Sequence, residues 1–312
     1  VMLLLRCGDD HGVHVPDYQA LRRDASCRFP LAGPGPELGL GQRVEGGHVG
    51  HAPHSAKRHP HPAGEPIVAV HQVVPGPLGA LEAEQQLKTN KNFLLVGAAT
   101  PINDLIPQLK NIYPSFANMY YRFGSIQIRN LATVGGNLAS ASPIGDSSPA
   151  LLALNCSIII QGKKQRTINI KKFFLSYRKT VLNNKEFIKE IKIPIIKNSI
   201  FKCYKVSKRF DDDISSVFVA FLLKLKKNII SDINIAYGGM AATPKKASKT
   251  EKFLIGRKFN YENIHKSKKI IENEFNPLND MRASSQYRTL VSKNLIERFY
   301  LEIKNKQSHT IS

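Results

Sequence analysis

The chain has 312 residues, room for about two domains at roughly 100–200 residues each. It carries 45 Lys and Arg against 24 Asp and Glu, a formal net charge of +21, and a hydrophobic share of 42% that excludes a wholly disordered chain. The 21 glycines and 18 prolines follow no collagen-like repeat. From the start of the chain, Val1–Leu5 is apolar but runs into Arg6, Asp9 and Asp10, too short for the apolar core of a signal peptide, and no run approaches the length of a membrane span. Residues 1–87 hold 7 basic and 9 acidic side chains, 10 of the prolines, 12 of the glycines, 8 of the 10 histidines and no asparagine. Residues 88–312 hold 38 basic and 15 acidic side chains and are dominated by Lys, Ile and Asn. Two vocabularies, one built on GC-rich and one on AT-rich codons, suggest two coding origins, with 1–87 disordered or non-native. Prolines interrupt residues 31–77 so often that they read as coil. The histidines His48, His51, His54, His59, His61 and His71 offer imidazoles for a metal, but a proline-broken segment does not pre-organise a tetrahedral site.

Regular structure is expected from about residue 90. Phe93–Gly97 reads as a short buried strand, followed by Thr100 as N-cap and Pro101 as first residue of a helix with Ile102, Leu105, Ile106 and Leu109 on one face. Residues 113–121 read as a second helical piece. Residues 157–161 and 166–170 flank a Gly162-Lys163 hairpin turn. Residues 186–193, 201–206, 217–225 and 229–237 alternate as half-buried strands do. Helices follow: one near Ser248, where Glu251 three residues on suggests a capping box, then 264–275 and 287–300, the last with a stripe of Leu290, Val291, Leu295 and Phe299. Strands before helices indicate an α+β protein in two parts, with a break near residues 197–199.

Chemistry concentrates between Phe123 and Asp146, FGSIQIRNLATVGGNLASASPIGD. Two adjacent glycines in Thr133-Val134-Gly135-Gly136-Asn137 let backbone approach a ligand with no Cβ in the way. Successive N–H groups there would form an anion nest, with hydroxyls from Thr133, Ser140 and Ser142 as further donors, and a pyrophosphate suits it. A glycine pair is also common in loops that bind nothing. Asp146, an anion, would instead accept hydrogen bonds from a ribose or other polyol. Lys205 shares a strand face with Phe201 and Cys203; an inward lysine needs a partner, so it faces a ligand or a carboxylate. Lys208 to Asp213 is a mixed charge cluster, read as a solvated loop rather than a metal site. Four dispersed cysteines, Cys7, Cys27, Cys156 and Cys203, form no disulfide framework and no zinc or iron–sulfur ligand set, which points to a reducing, cytoplasmic setting. No Ser/His/Asp triad, H-E-x-x-H or Walker lysine motif occurs, and after residue 87 the only histidines are His265 and His309.

Six blocks carry a family resemblance: VGAATPI (96–102), RFGSIQIRNLATVGGNLASASPIGDSSPALLAL (122–154), FFLSYRKTVL (173–182), YKVSKRFDDDIS (204–215), AYGGMAATPKKA (236–247) and NDMRASSQYR (279–288). Together they resemble the FAD-binding subunit or domain of the xanthine dehydrogenase family of molybdenum hydroxylases, in the same order. The resemblance implies a PCMH-type FAD-binding α/β domain over 88–198, its N-terminal lobe incomplete, and a small sheet-plus-helical-bundle domain of the CO dehydrogenase flavoprotein C-terminal type over 199–303, with a tail at 304–312. It places Thr133, Val134, Gly135, Gly136 and Asn137 on the FAD pyrophosphate, Asp146 on the adenosine or ribityl part, and Phe123 against the dinucleotide. Ile188 would meet the ring, Lys205 would lie close to the FAD as a cation, and Arg209 and Asp212 would belong to a loop over the flavin that influences the electron acceptor. It further implies NAD+ as acceptor, a molybdopterin-binding large subunit and a [2Fe–2S] domain or subunit as partners, no nucleic acid, no membrane, and a place in purine catabolism. Residues 1–87 match neither the family's first glycine-containing phosphate loop nor its cysteine-rich iron–sulfur domain. Two other readings stand beside this one. A flavin-free assembly scaffold would keep the fold without the chemistry. A basic nucleic-acid-binding protein would explain a pI near 9.8, although the lysines are dispersed and no recognition motif accompanies them.

Overall fold

In a computed structural model of the chain, the structure describes residues 85–305. The proline-rich stretch and its histidines lie outside the described residues. The first sheet is antiparallel throughout, in the order β1 (Leu87–Thr89), β2 (Phe93–Gly97), β7 (Phe187–Pro194), β3 (Ser157–Gln161) and β4 (Gln165–Asn169). A small hairpin, β5 (Phe174–Ser176) and β6 (Lys179–Thr180), follows β4. Between β2 and β3 the chain makes five helices: α1 (Ile102–Ile112), α2 (Pro114–Tyr121), α3 (Ile126–Leu131), α4 (Val134–Ala139) and α5 (Ser147–Ala153). Strands and helices therefore interleave in this part, and strands precede helices only in the second.

The second sheet runs β11 (Lys245–Lys246), β10 (Ile229–Gly238), β9 (Val217–Lys226), β8 (Ile200–Val206). Helices α6 (Ser248–Leu254), α7 (Tyr261–Glu274) and α8 (Ser285–Asn305) follow it. Strand β9 is apolar on both faces because both are covered. Phe218, Ala220 and Leu222 join the core made by the first sheet, α1, α2 and α5, while Val217, Val219, Phe221 and Leu223 join that of α6–α8. Phe221 stacks on Phe299 with centroids 4.4 Å apart, a pairing worth about 1 kcal/mol beyond the area it buries. One middle sheet thus serves two cores. Its inner face carries Phe201 and Cys203 against the first core, which sends Lys205 the same way.

Three local expectations differ from what forms. Helix α1 begins at Ile102 with Pro101 at the cap position, and the Thr100 hydroxyl is buried without a partner rather than capping. Helix α6 is preceded by Ala247 with no side-chain cap. The Glu251 carboxylate instead accepts from the Ile235 amide at 2.6 Å and pairs with Lys246 at 3.2 Å, so the tertiary partners win over the capping box. Burial is the main reason the Glu251 carboxyl is pushed up from its usual range. In α8, Leu290 is 55% exposed, and the buried stripe is Leu295, Ile296 and Phe299 with Val291 packed beside it. At the hairpin end of the first sheet, Arg166 grips Glu186 in a fork, Nε to Oε1 at 2.9 Å and Nη2 to Oε2 at 2.7 Å.

Candidate functional site

The site is built outward from a bulge. Opposite Ile159 and Ile160, strand β7 presents Glu190 and Ile188, leaving Lys189 as the extra residue. The Lys189 carbonyl accepts from the Ala98 amide at 2.9 Å and so fixes the chain just after β2. The Ala98 carbonyl in turn accepts from Gly135 at 3.1 Å, and Pro101 bridges Thr133. In this way the bulge sets the height of the loop on which the TVGGN segment lies.

That segment is the start of α4 and not an open turn. Thr133 is the N-cap, its hydroxyl oxygen accepting from Gly136 N–H at 3.0 Å. Asn137 N–H donates to the Thr133 carbonyl at 3.0 Å. The N–H groups of Gly135, Gly136 and Asn137 are thus all spent within the chain, so the expected nest of free backbone donors does not form. The two glycines serve different ends. A Cβ on Gly135 would lie 2.6 Å from both the Cβ and the carbonyl oxygen of Ala98. A Cβ on Gly136 would point outward from an exposed position, with only Thr133 Oγ1 near it, at 3.1 Å. Packing explains the first glycine and leaves the second for something outside the chain. The Thr133 hydroxyl keeps its own hydrogen to give, whereas Ser140 has already donated to the Asn137 carbonyl at 2.7 Å.

Asn137 links this turn to Asp146. Its Oδ1 accepts from the Ser147 amide at 3.2 Å, where α5 begins. Asp146 is 3% exposed; Oδ2 receives Lys205 Nζ at 2.5 Å and Oδ1 receives the Ser215 hydroxyl at 2.5 Å. The inward lysine of β8 therefore has its carboxylate, contributed by the preceding layer, and both acceptor oxygens of Asp146 are engaged inside the chain. Next to them, Tyr120 donates to the Ser147 hydroxyl at 2.9 Å, and burial pushes the Tyr120 phenol well up, so it stays a donor. Phe123 stands half-buried, edge-on to Tyr120 with centroids 6.1 Å apart. Ile188, beside the bulge, is 6% exposed and belongs to the first core.

The loop after β8 is pinned from two sides. Arg122 donates through Nε and Nη2 to the Phe210 carbonyl at 3.0 and 2.9 Å, and through Nη1 to the Lys205 carbonyl at 3.0 Å, with its guanidinium 4.3 Å over the Phe210 ring. From the other side, Lys208 donates to the Met281 carbonyl at 2.8 Å. Arg209 and Asp212 are exposed on this loop, Asp212 at φ +52°, a conformation that Asp tolerates better than most residues. Arg122 and this loop border a cleft of about 650 Å³ that also takes in Tyr121, Ile126 and Asp211.

The structure thus gathers Thr133 to Asn137, Asp146, Lys205 and Phe123 into one connected region, and reaches Ile188 only through the bulge. Arg122 and Ser215 belong to the region as well. Their only sequence signal was membership of the quoted RFGS and DDDIS blocks. Among the described residues no group of three or more His, Cys, Asp or Glu could hold a metal. His265 lies on α7 beside Tyr261, and burial pushes the Cys203 thiol well up. The region offers hydroxyls and a glycine-lined surface above a buried Lys205–Asp146 ion pair, which suits binding of a polar or anionic ligand.

Residues 77–196 match the family described as FAD binding domain in molybdopterin dehydrogenase, and residues 202–303 match CO dehydrogenase flavoprotein C-terminal domain. The chain is 32% identical over 220 residues to the glyceraldehyde dehydrogenase medium chain of Sulfolobus acidocaldarius, covering 70% of this chain and 78% of that one. It is 34% identical over 194 residues to a xanthine dehydrogenase of Oryza sativa, covering 60% of this chain but only 14% of that much longer protein. Among solved structures, a carbon monoxide dehydrogenase from Hydrogenophaga pseudoflava superimposes with a TM-score of 0.66 at 24% identity, over 70% of this chain and 77% of that one. Quinoline 2-oxidoreductase from Pseudomonas putida 86 gives 0.65 at 19% identity, over 71% and 78%.

Proposed function

Because the chain belongs to the FAD-binding flavoprotein family of the molybdenum hydroxylases, a family of flavin-dependent oxidoreductase components, we propose that it holds FAD at the region around Gly136 and passes electrons from molybdenum and iron–sulfur centres on partner chains to NAD+. The observation that carries this reading is Gly136 itself, an exposed glycine whose missing Cβ relieves nothing in the chain except its own N-cap contact. The residues present fit the cofactor. Gly136 gives a smooth surface for a pyrophosphate and the Thr133 hydroxyl gives a donor, while the Lys205 ammonium is paired with Asp146 beneath them.

Bound FAD would supply the redox chemistry, accepting and releasing electrons in steps that no side chain of this region performs. The chain's own part is position and electrostatics. Lys205, buried and paired with Asp146, would act on negative charge of the bound ring as the positive end of that pair. Phe123 and Ile188 offer apolar contact, and the Arg122-pinned loop with Arg209 and Asp212 screens the approach of the acceptor. The partners are a molybdopterin-binding large subunit and an iron–sulfur domain or subunit. Helix α3 supports this, since none of its residues is buried and Ile126, Ile128 and Leu131 are 51%, 52% and 76% exposed, an apolar surface suited to covering by another chain. No helix among the described residues is long and apolar enough to cross a membrane. A second reading, a flavin-free scaffold, is favoured by three of the five backbone amides of TVGGN, those of Gly135, Gly136 and Asn137, being spent inside the chain. Titration of the purified chain with FAD separates the two: saturable uptake supports the flavin reading, and none supports the scaffold.

A further inference from the structure

Among the described residues Arg288 is the largest side chain buried completely, and nothing in the chemistry above uses it. It sits in the first turn of α8, and its guanidinium reaches across the end of the second sheet. Nη1 donates to the carbonyl of Ser216 and, at 3.4 Å, to that of Gly239, while Nη2 donates to Asp280 Oδ1 at 2.7 Å. Gly239 stands at φ +82°, and a Cβ there would come 2.4 Å from the Ser216 oxygen and 2.6 Å from Arg288 Nη1. Only glycine permits this knot. The Gly239 amide donates to the Pro143 carbonyl at 2.8 Å, which ties the knot to the segment that leads into Asp146.

A buried guanidinium is expensive unless its donors are met; here Nη1 and Nη2 are met while Nε is buried without a partner, and a rigid fork meets fixed carbonyls as a flexible ammonium does not. Here the fork lands on Ser216. The residue before it, Ser215, is 1% exposed and places its hydroxyl on Asp146 Oδ1, the carboxylate whose other oxygen holds Lys205. A continuous path therefore runs from Arg288 through the backbone at 215–216 to Asp146 and Lys205.

We propose that Arg288 is a positioning residue of the flavin site: by fixing Ser216 and Gly239 it keeps the Ser215 hydroxyl on Asp146 and so sets where the Lys205 ammonium stands. This rests on the reading of Asp146 and Lys205 as flavin-site residues. The test uses the full 312-residue chain, as wild type, Arg288→Lys, Ser215→Ala and the double variant, each titrated with FAD and melted by circular dichroism. Below the melting range of all four, each single substitution weakens FAD binding about tenfold, the loss of about one charge-assisted hydrogen bond. The double variant loses about the same tenfold and not a hundredfold, because both changes break one path. Arg288→Lys alone also lowers the melting midpoint markedly. Should Arg288→Lys fail to fold, Asp280→Ala, which frees the guanidinium from its other side, takes its place in the cycle with the same expectation. Wild-type FAD affinity in an earlier-melting Arg288→Lys, or single effects that simply multiply, would make Arg288 structural only and overturn the proposal. A wild-type chain that takes up no FAD overturns the flavin reading and this proposal together, and that outcome is visible in the unsubstituted protein alone.

Discussion

Replacing Gly135 and Gly136 by alanine, one at a time, separates the packing role from the ligand role of the pair. At Gly135 the new Cβ meets the Ala98 Cβ and carbonyl oxygen at 2.6 Å and its Cα at 2.9 Å, and backbone cannot swing aside as a side chain can. Overpacking of this kind costs about 1–3 kcal/mol, and displacing the Gly135 to Ala98 hydrogen bond adds about 1 kcal/mol. Against this, Ala in a helix gains roughly 0.5–1 kcal/mol over Gly. The net loss is about 2 kcal/mol, a fall of roughly 4–8 °C in melting midpoint for a folded region of this size. At Gly136 the same helix gain is set against a 3.1 Å contact with the Thr133 cap, worth about 1 kcal/mol, so stability stays within about 1 kcal/mol of wild type. The methyl group now occupies the surface assigned to the pyrophosphate, and FAD affinity falls at least tenfold. Thermal melts and FAD titrations on both variants read out the two effects. A Gly136→Ala chain with FAD affinity within twofold of wild type, or a Gly135→Ala chain of unchanged stability, would refute the reasoning for that glycine.

Lys205→Ala strands the Asp146 carboxylate in the interior and costs about 3–5 kcal/mol in denaturant titration, whereas Lys205→Met with Asp146→Leu recovers much of that stability but not FAD binding. Arg122→Ala frees the loop at Phe210 with little effect on global stability; limited proteolysis cuts residues 207–213 faster, and unchanged protection would show that the clamp is dispensable. Glu186 is held down to about 2 chiefly by its hydrogen bonds from Arg166. Its contribution is therefore present above the ordinary Glu value of 4.5 and is lost as pH falls toward 2, and Glu186→Gln should flatten the acid limb of a stability–pH curve over that window.

How far the sequence foretold this depends on which force decides each residue. Strands 93–97, 217–225 and 229–237 were legible because alternation or a continuous apolar run follows directly from one or two covered faces. The inward direction of Lys205 came from the same alternation, but its partner lies 59 residues away and only the packing of β8 on the preceding layer identifies it. The TVGGN segment reads as a turn because glycine is a poor helix former. It becomes a helix N-terminus because the Ala98 carbonyl and the Thr133 cap meet its amides. Helix α5 left no periodic trace, since every one of its residues is buried and a helix covered all round has no stripe. Ser248 and Glu251 matched a capping pattern, yet the carboxylate went to Lys246 and the Ile235 amide, which lie outside the local window any such pattern inspects. Arg288 was unremarkable as one basic residue among many, and its burial is a property of the tertiary knot at Gly239.

The central claim is that this chain binds FAD at the Gly136 region, and equilibrium titration of the purified full-length chain with FAD, followed by flavin absorption and fluorescence, tests it most directly. Saturable uptake of one FAD per chain, lost on Gly136→Val with the circular dichroism spectrum retained, is the predicted result. A folded, colourless chain that takes up no added FAD, or one whose uptake survives Gly136→Val, would contradict it.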